Sequence, residues 1–387
     1  MVNKVTDSIY YIGADDKTID LFESQYVVPN GVSYNSYLIM DEKVAVMDTV
    51  DPRATDAWFA NLEEALNGRT PDYLVISHLE PDHAGNIQKA AEKYPQMKLV
   101  SNAKLFAFLP QFFDLDLTDR CVTVKEGDTL SLGSHTLAFV MAPMVHWPEV
   151  MVEYEVSEKV LFSADGFGKF GALDTDEPWA DEARRYFINI VGKYGMQVQA
   201  LLKKAAGLDI SMICPLHGPV LKENLGYYLG LYDAWSSYRP EEPGIVIACA
   251  SIHGNTKKAA QKMAEILKEK TSIPVKVYDL ARDDMAQVIA EAYRYDRLVL
   301  AAASYDGGVF LCMEDFLNHL KYKLFQNRKV GLIENGTWAP SAGRVMKGYL
   351  EGMKNITLCD TMVTIRSTMK AENVEAMERL ADELLAE

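Results

Sequence analysis

The 387-residue sequence predicts an α/β protein of two domains, residues 1–240 and 241–387. Three observations carry this. Up to about residue 240, short β-type runs are mixed with amphipathic helical patterns, and some of the runs pair as hairpins. The stretch Ser236–Gly244 then breaks both periods with two prolines, a glycine and a cluster of charges, and reads as an exposed linker. Beyond it, five β–α units follow one another with near-continuous apolar strands, the pattern of a parallel sheet covered on both faces.

In chain order, β-type runs are expected at Ser8–Ile12, Ser36–Met40, Val44–Asp48 and Tyr73–Ser77, then at Lys98–Ser101, Thr136–Met141, Val150–Val156 and Val160–Ser163. Residues 37–46 and the runs flanking Ser157-Glu158 read as hairpins. Helical patterns lie at Ala54–Leu66, Asn86–Lys93, Ala180–Ala205 and Lys222–Trp235. In the second half, strand Ile245–Ala250 leads to helix Asn255–Lys268, and strand Pro274–Tyr278 to helix Asp283–Ala292. Strand Arg297–Ala303 leads to Met313–Leu324, Lys329–Glu334 to Gly343–Met353, and Ile356–Leu358 to Asn373–Leu385.

Composition narrows the function classes. A hydrophobic content of 49% with 24% charged residues is that of a globular chain. The net charge of −16 repels phosphate backbones, so no nucleic-acid partner is expected. No apolar run approaches the ~20 residues of a membrane helix, and the first residues lack the basic head and apolar run of a signal peptide. A cytoplasmic protein is expected. Five cysteines, none in a C-x-x-C pair, argue against a disulfide framework and against a cysteine-held zinc, iron–sulfur or rubredoxin-type centre. Any metal must be held by nitrogen and oxygen.

The richest stretch is Ser77-His-Leu-Glu-Pro-Asp-His83, which follows an apolar strand and opens a helix, where ligands gather in α/β folds. His78, Glu80, Asp82 and His83 are more ligands than one closed four-coordinate site uses, and suit a pair of metals. His146, Asp165 and His217 sit in later loops that also follow strands. A lone histidine in such a loop is commonly no more than a hydrogen-bonded side chain, but four of the chain's seven occupy these loops.

This H-x-E-x-D-H run with the later His, Asp and His resembles the metallo-β-lactamase-like domain of the flavodiiron proteins (A-type flavoproteins). Related zinc hydrolases carry H-x-H-x-D-H, and a carboxylate in the Glu80 position makes the site harder and favours iron. The resemblance implies two irons per chain: one held by His78, Glu80 and His146, the other by Asp82, His83 and His217, with Asp165 bridging. His146-Trp-Pro and Phe167-Gly-Lys-Phe-Gly-Ala-Leu173 resemble further signatures of that family, and the interval from Asp165 to His217 is several residues short of its usual length. Family members place a tyrosine in this region, which makes Tyr194 the candidate proton donor.

The first β–α turn of the second half, Ser251-Ile-His-Gly-Asn-Thr256, offers hydroxyls, backbone N–H groups and a helix start to an anion. It matches neither a Walker A loop nor G-x-G-x-x-G. By itself such a start is commonly only a helix cap. It resembles the flavodoxin phosphate loop, which implies FMN bound by Ser251, Ile252, His253, Gly254, Asn255 and Thr256. Two later loops would embrace the ring: Ser304, Tyr305, Asp306, Gly307 and Gly308, then Asn335, Gly336, Thr337 and Trp338. Tyr305 and Trp338 are the stacking candidates, with core packing as their other reading. Both loops depart from the flavodoxin pattern: the first has Ala303-Ser304 in place of a proline–threonine pair and Asp306 in place of an asparagine, and the second lacks the aromatic expected next to its glycine, reading Gly336-Thr337-Trp338.

Taken together, the resemblances imply a metallo-β-lactamase-like αββα sandwich followed by a flavodoxin-like doubly wound sheet, the minimal two-domain class without a fused rubredoxin. They further imply an oxidoreductase that reduces O2 to water, NO to N2O, or both, at a diiron site fed through FMN. Its electron donor would be separate, rubredoxin or the deazaflavin F420, and its assembly a head-to-tail homodimer or a dimer of dimers. Two other readings stay open: a zinc hydrolase with an attached flavin domain, and a flavin electron carrier or redox sensor without metal.

Overall fold

Short strands, several of them buried at every residue, build the first part of the computed structural model, which describes residues 2–386. The outermost residues of the two expected domains, Met1 and Glu387, lie outside the described residues. A seven-stranded sheet runs in the order Asn3–Lys4, Ile9–Tyr11, Tyr37–Ile39, Ala45–Met47, Tyr73–Val75, Lys98–Asn102, Cys121–Val124. Its early pairs are antiparallel and its last three parallel. A five-stranded sheet, Thr129–Ser131, Thr136–Met141, Met151–Glu155, Val160–Phe162 and Met212–Cys214, faces it. One core joins the inner faces: Ile39, Met47, Val75 and Val100 of the first sheet with Phe139, Met151, Phe162 and Cys214 of the second. Polar loops leave the ends of Tyr73–Val75, Val160–Phe162 and Met212–Cys214, and these loops carry the chemistry.

The helical pattern expected over Ala180–Ala205 is not one helix. It divides into Trp179–Tyr186, a π-helical turn Phe187–Val191, a 3-10 turn Gly192–Tyr194 and the helix Gly195–Ala205. Gly192 and Gly195 weaken the middle of the run, and a π turn is a common device for re-aiming side chains at functional sites. The chain resolves into two compact units, one reaching Phe187 and resuming over Met196–Tyr232, the other comprising Ile188–Gly195 and residues from Asp233 onward. The stretch expected to be an exposed linker is therefore packed structure. The helix Leu225–Ser236 runs into it, the next strand begins at Glu242, and Ser236, Tyr238 and Gly244 are buried.

The second unit is a parallel sheet in the order Val275–Asp279, Glu242–Ala250, Tyr295–Tyr305, Arg328–Asn335, Ile356–Ile365. Numbered by appearance this is 2-1-3-4-5, the flavodoxin order. Ile245, Ile247 and Cys249 of the first strand face the helices Asn255–Lys270 and Ala371–Leu385 in one core. The alternate residues Val246, Ala248 and Ala250 are equally buried, so the strand is covered on both faces.

Candidate metal centre and flavin cleft

The seven ligand candidates converge as two groups, His78–Glu80–His146–Asp165 and Asp82–His83–His217. In the first, His78 Nε2 lies 3.2 Å from Glu80 Oε2 and 3.4 Å from Asp165 Oδ2. His146 Nε2 lies 3.0 Å and 3.4 Å from the same two oxygens. In the second, Asp82 Oδ2 stands 3.2 Å from His217 Nε2 and 3.4 Å from His83 Nε2. Asp165 turns its other oxygen to this group, with Oδ1 3.1 Å from His83 Nε2 and 3.8 Å from His217 Nε2. Nitrogen and oxygen atoms ~2.1 Å from one ion stand about 3.0–3.4 Å from each other, so both spacings fit metal shells.

Hydrogen bonding supports that fit. Asp82 Oδ1 and Oδ2, Asp165 Oδ2 and His217 Nε2 are buried with no hydrogen-bond partner, an arrangement costly for a folded core without a cation. The tautomers are set from behind. His78 Nδ1 donates to Glu149 Oε1 at 2.8 Å and His217 Nδ1 to the Ser33 carbonyl at 2.7 Å, which leaves both Nε2 atoms aimed inward.

Electrostatics point the same way. Burial depresses His83, but the charges of Asp82 and Asp165 outweigh it and raise its pKa to about 9. His146 likewise ends at about 9: burial lowers it, and its contacts with Asp165 and Glu80 raise it by more. Burial raises Asp165, yet the neighbouring histidines, His83 foremost, hold it well below the carboxylate range. A pocket that concentrates this much negative charge holds protons on its imidazoles, and a cation replaces those protons.

The walls include residues that no motif announced. Tyr186, at the end of the helix that the π turn interrupts, is fully buried with its ring 5.4 Å from His217. Burial first, then the charges of Asp165, Asp82 and Glu80, keep its phenol protonated. Tyr194 belongs to the other compact unit, in the turn Gly192–Tyr194, and is not among the residues gathered here. Phe22, from the small hairpin Leu21–Phe22/Tyr26–Val27, packs edge-on against His217 at 5.4 Å, and Trp147 against His78 at 5.1 Å. Glu23 at the hairpin turn is raised by desolvation and then by the Glu80 charge. Beneath lies a buried pair, Asp48 and Glu153, with Ser77 Oγ 2.6 Å from the one and 2.9 Å from the other. Burial raises both, Asp48 to about 6 and Glu153 well above its ordinary value. Asp48, Met144, Ala164 and Phe167 adopt positive φ around these loops, strain of about 1–3 kcal/mol each that the packing sustains.

In the second unit a cleft of about 380 Å³ opens at the carboxyl ends of the strands. Ile252, His253, Asn255, Thr256, Ser304, Tyr305, Asp306, Gly307, Asn335, Gly336, Thr337 and Trp338 line it, as expected from the sequence. Ser251, Gly254 and Gly308 stand behind it. Ser251 Oγ accepts from Gly254 N at 3.1 Å, and Gly308 O accepts from Ser341 Oγ at 2.6 Å. Gly254 has φ +88° with nothing within 4 Å of a built Cβ, which leaves open space before the helix Asn255–Lys270 where an anion meets N–H groups. Two side chains prove to be supports: Ser304 Oγ accepts from Ser341 N, and the Asn335 amide is held at both ends by the Ser367 backbone. Ala303, Ala339, Ser341 and Ser367 complete the lining. Ser367 follows the last parallel strand, so the rule that ligands gather at strand ends could have found it.

Comparison with known proteins follows the same lines. The family described as ODP family beta lactamase matches residues 32–218, the span that holds all the metal-ligand candidates. Rubredoxin oxygen:oxidoreductase of the anaerobe Desulfovibrio gigas superposes with a TM-score of 0.93 at 26% identity, covering 99% of this chain and 98% of that one. An anaerobic nitric oxide reductase flavorubredoxin of Vibrio vulnificus is 28% identical over 351 residues, 87% of this chain and 70% of that protein. The flavodiiron protein of Giardia intestinalis shares the fold at a TM-score of 0.89 and 22% identity, over 99% of this chain and 95% of that one.

Proposed function

We propose that this chain, which superposes over 99% of its residues on rubredoxin oxygen:oxidoreductase of Desulfovibrio gigas, is an oxidoreductase that reduces dioxygen to water, nitric oxide to nitrous oxide, or both, at a pair of irons supplied with electrons through FMN. The observation that carries the reading is Asp165, which presents Oδ2 to one ligand group and Oδ1 to the other. Bound there, the irons would supply the electrons that a small diatomic molecule accepts.

The chain's own residues supply the rest. Glu149 and the Ser33 carbonyl fix the rings of His78 and His217. Tyr186, buried and held protonated, places an O–H beside Asp165 for oxygen atoms that gain negative charge. Phe22, Trp147 and Phe170 keep bulk water from the ligands. In the cleft, Thr256, Asn255 and the helix start would hold the FMN phosphate, and Tyr305 and Trp338 would flank the ring. The donor would be a carrier such as rubredoxin, the partner named for the Desulfovibrio gigas protein, in the cytoplasm, with FMN of one chain facing the irons of a partner in a head-to-tail dimer.

The test is metal and flavin analysis of the purified chain, followed by anaerobic mixing of the reduced protein with each gas. Expected are about two irons and one FMN per chain, with consumption of O2 or NO. Zinc retained after expression with iron supplied, and no gas consumed, would move the chain to the hydrolases.

A further inference from the structure

Within the first unit, residues 196–205 of the helix Gly195–Ala205 cover a narrow cavity against the five-stranded sheet. Val152, Leu161, Val198, Leu202, Phe167 and Tyr232 are among the residues of its wall, which is almost wholly apolar. A water-sized sphere has about 20 Å³ in which to move its centre. That is more than one water requires, ~10–15 Å³. A water there would still find few partners. Ser163 Oγ donates to the Gly166 carbonyl at 2.6 Å, and the Tyr232 hydroxyl oxygen accepts from Phe167 N–H. Apolar cavities of this kind stay dry and take up apolar gas atoms.

Its position gives the space a use. The outer wall is thin, since Leu201, Leu202, Ala205 and Leu208 are only half-buried. The inner wall is the segment that follows Asp165. Phe167, at φ +65°, stacks on Tyr232 with ring centroids 4.1 Å apart. A Cβ on Gly168 would lie 3.4 Å from both His217 and the Tyr186 ring. One residue layer thus has the cavity on one side and the seven-ligand pocket on the other.

We propose that this cavity is a binding site for one small uncharged gas molecule, dioxygen or nitric oxide, from which the gas passes the Phe167–Gly168 layer to the ligand pocket. The passage rests on the reductase reading, whereas occupancy of the cavity does not.

The test pressurises crystals of the purified protein with xenon and measures gas consumption in solution, for the wild type, Leu202→Phe, which fills the space, and Leu202→Ala, which widens it and controls for disturbance of the helix. Expected is xenon density between Leu202 and Phe167 in the wild type and in Leu202→Ala, and none in Leu202→Phe. KM for the gas should rise roughly fivefold in Leu202→Phe with kcat unchanged, and should not rise in Leu202→Ala. The gas whose KM moves is the one the cavity serves. A wild-type cavity without xenon overturns the proposal, and so does an unmoved KM in a Leu202→Phe protein that has lost its xenon. Xenon bound as expected in an iron-loaded protein that consumes neither gas would uphold the gas site and refute the reductase reading.

Discussion

Glu149 is 1% exposed, and one of its oxygens accepts from both His78 Nδ1 and Leu79 N, at 2.8 and 3.1 Å. Among the described residues nothing else bonds to the far nitrogen of His78, so this carboxylate sets which ring nitrogen faces the pocket and raises its basicity. Glu149→Ala should therefore weaken metal binding at the His78–Glu80–His146 group about 10–100-fold and leave the Asp82–His83–His217 group the tighter of the two. Iron titration against a competing chelator reads both affinities, and an unchanged first-group affinity would show that His78 needs no orienting partner. The same residues mark what a sequence reader can see. The seven ligand candidates were legible because chemically loaded letters sit within short strand-end runs. Glu149 and Ser33 were not, because each meets its histidine across 71 and 184 residues. The tyrosine beside the carboxylates was legible only as a region. The resemblance pointed to Tyr194, in the turn Gly192–Tyr194, whereas Tyr186 is the tyrosine whose ring stands 5.4 Å from His217.

At the scale of elements, His135 joins four segments that are distant in sequence. Its Nδ1 lies 2.8 Å from Asp41 Oδ2 in the turn after Tyr37–Ile39, and its Nε2 lies 3.1 Å from Glu158 Oε1 and 3.0 Å from Ser8 Oγ. Burial lowers its pKa, but the bonds to Asp41 and Glu158, with the nearby Glu155 charge, raise it overall. Asp41 is pulled down to about 2, because hydrogen bonds from the His135 backbone and ring outweigh its burial. A histidine with a raised folded pKa contributes in full below the unfolded value of about 6.5, and its contribution fades as pH climbs through the higher folded value. His135→Ala should thus cost about 1–3 kcal/mol near pH 6, with the gap to wild type narrowing steadily above pH ~6.5. Thermal melts of both proteins from pH 6 to 9 check this, and a gap independent of pH would mean that the imidazole packs without its charge. The strands this clasp joins were visible as β-type runs, two of them as hairpins at residues 37–46 and around Ser157-Glu158. The long helical pattern over Ala180–Ala205 misled because apolar spacing does not register two glycines that let the chain change pitch.

At the scale of the whole molecule, the parallel sheet with its 2-1-3-4-5 order follows from β–α alternation and right-handed crossovers, but no periodicity says whether a flavin in the cleft would serve metals of its own chain or of a partner. Trp338 is 87% exposed and Tyr305 43% exposed on the rim of the cleft, large rings of the kind that an assembly covers. In a head-to-tail dimer, electron transfer would run between chains, and two defective chains could then complement each other. Asp165→Asn removes the shared carboxylate and leaves the cleft intact, whereas Asn255→Glu sets a carboxylate where the FMN phosphate would lie and leaves the metal ligands intact. Each variant by itself should be inactive. Unfolded together and refolded at equal amounts, they form mixed dimers as half of all dimers, and each mixed dimer carries one intact flavin–metal pair and one doubly defective pair. About a quarter of wild-type gas consumption should return. If each flavin serves the metals of its own chain, every chain in the mixture keeps its lesion and nothing returns, so recovery of activity on refolding separates transfer between chains from transfer within one.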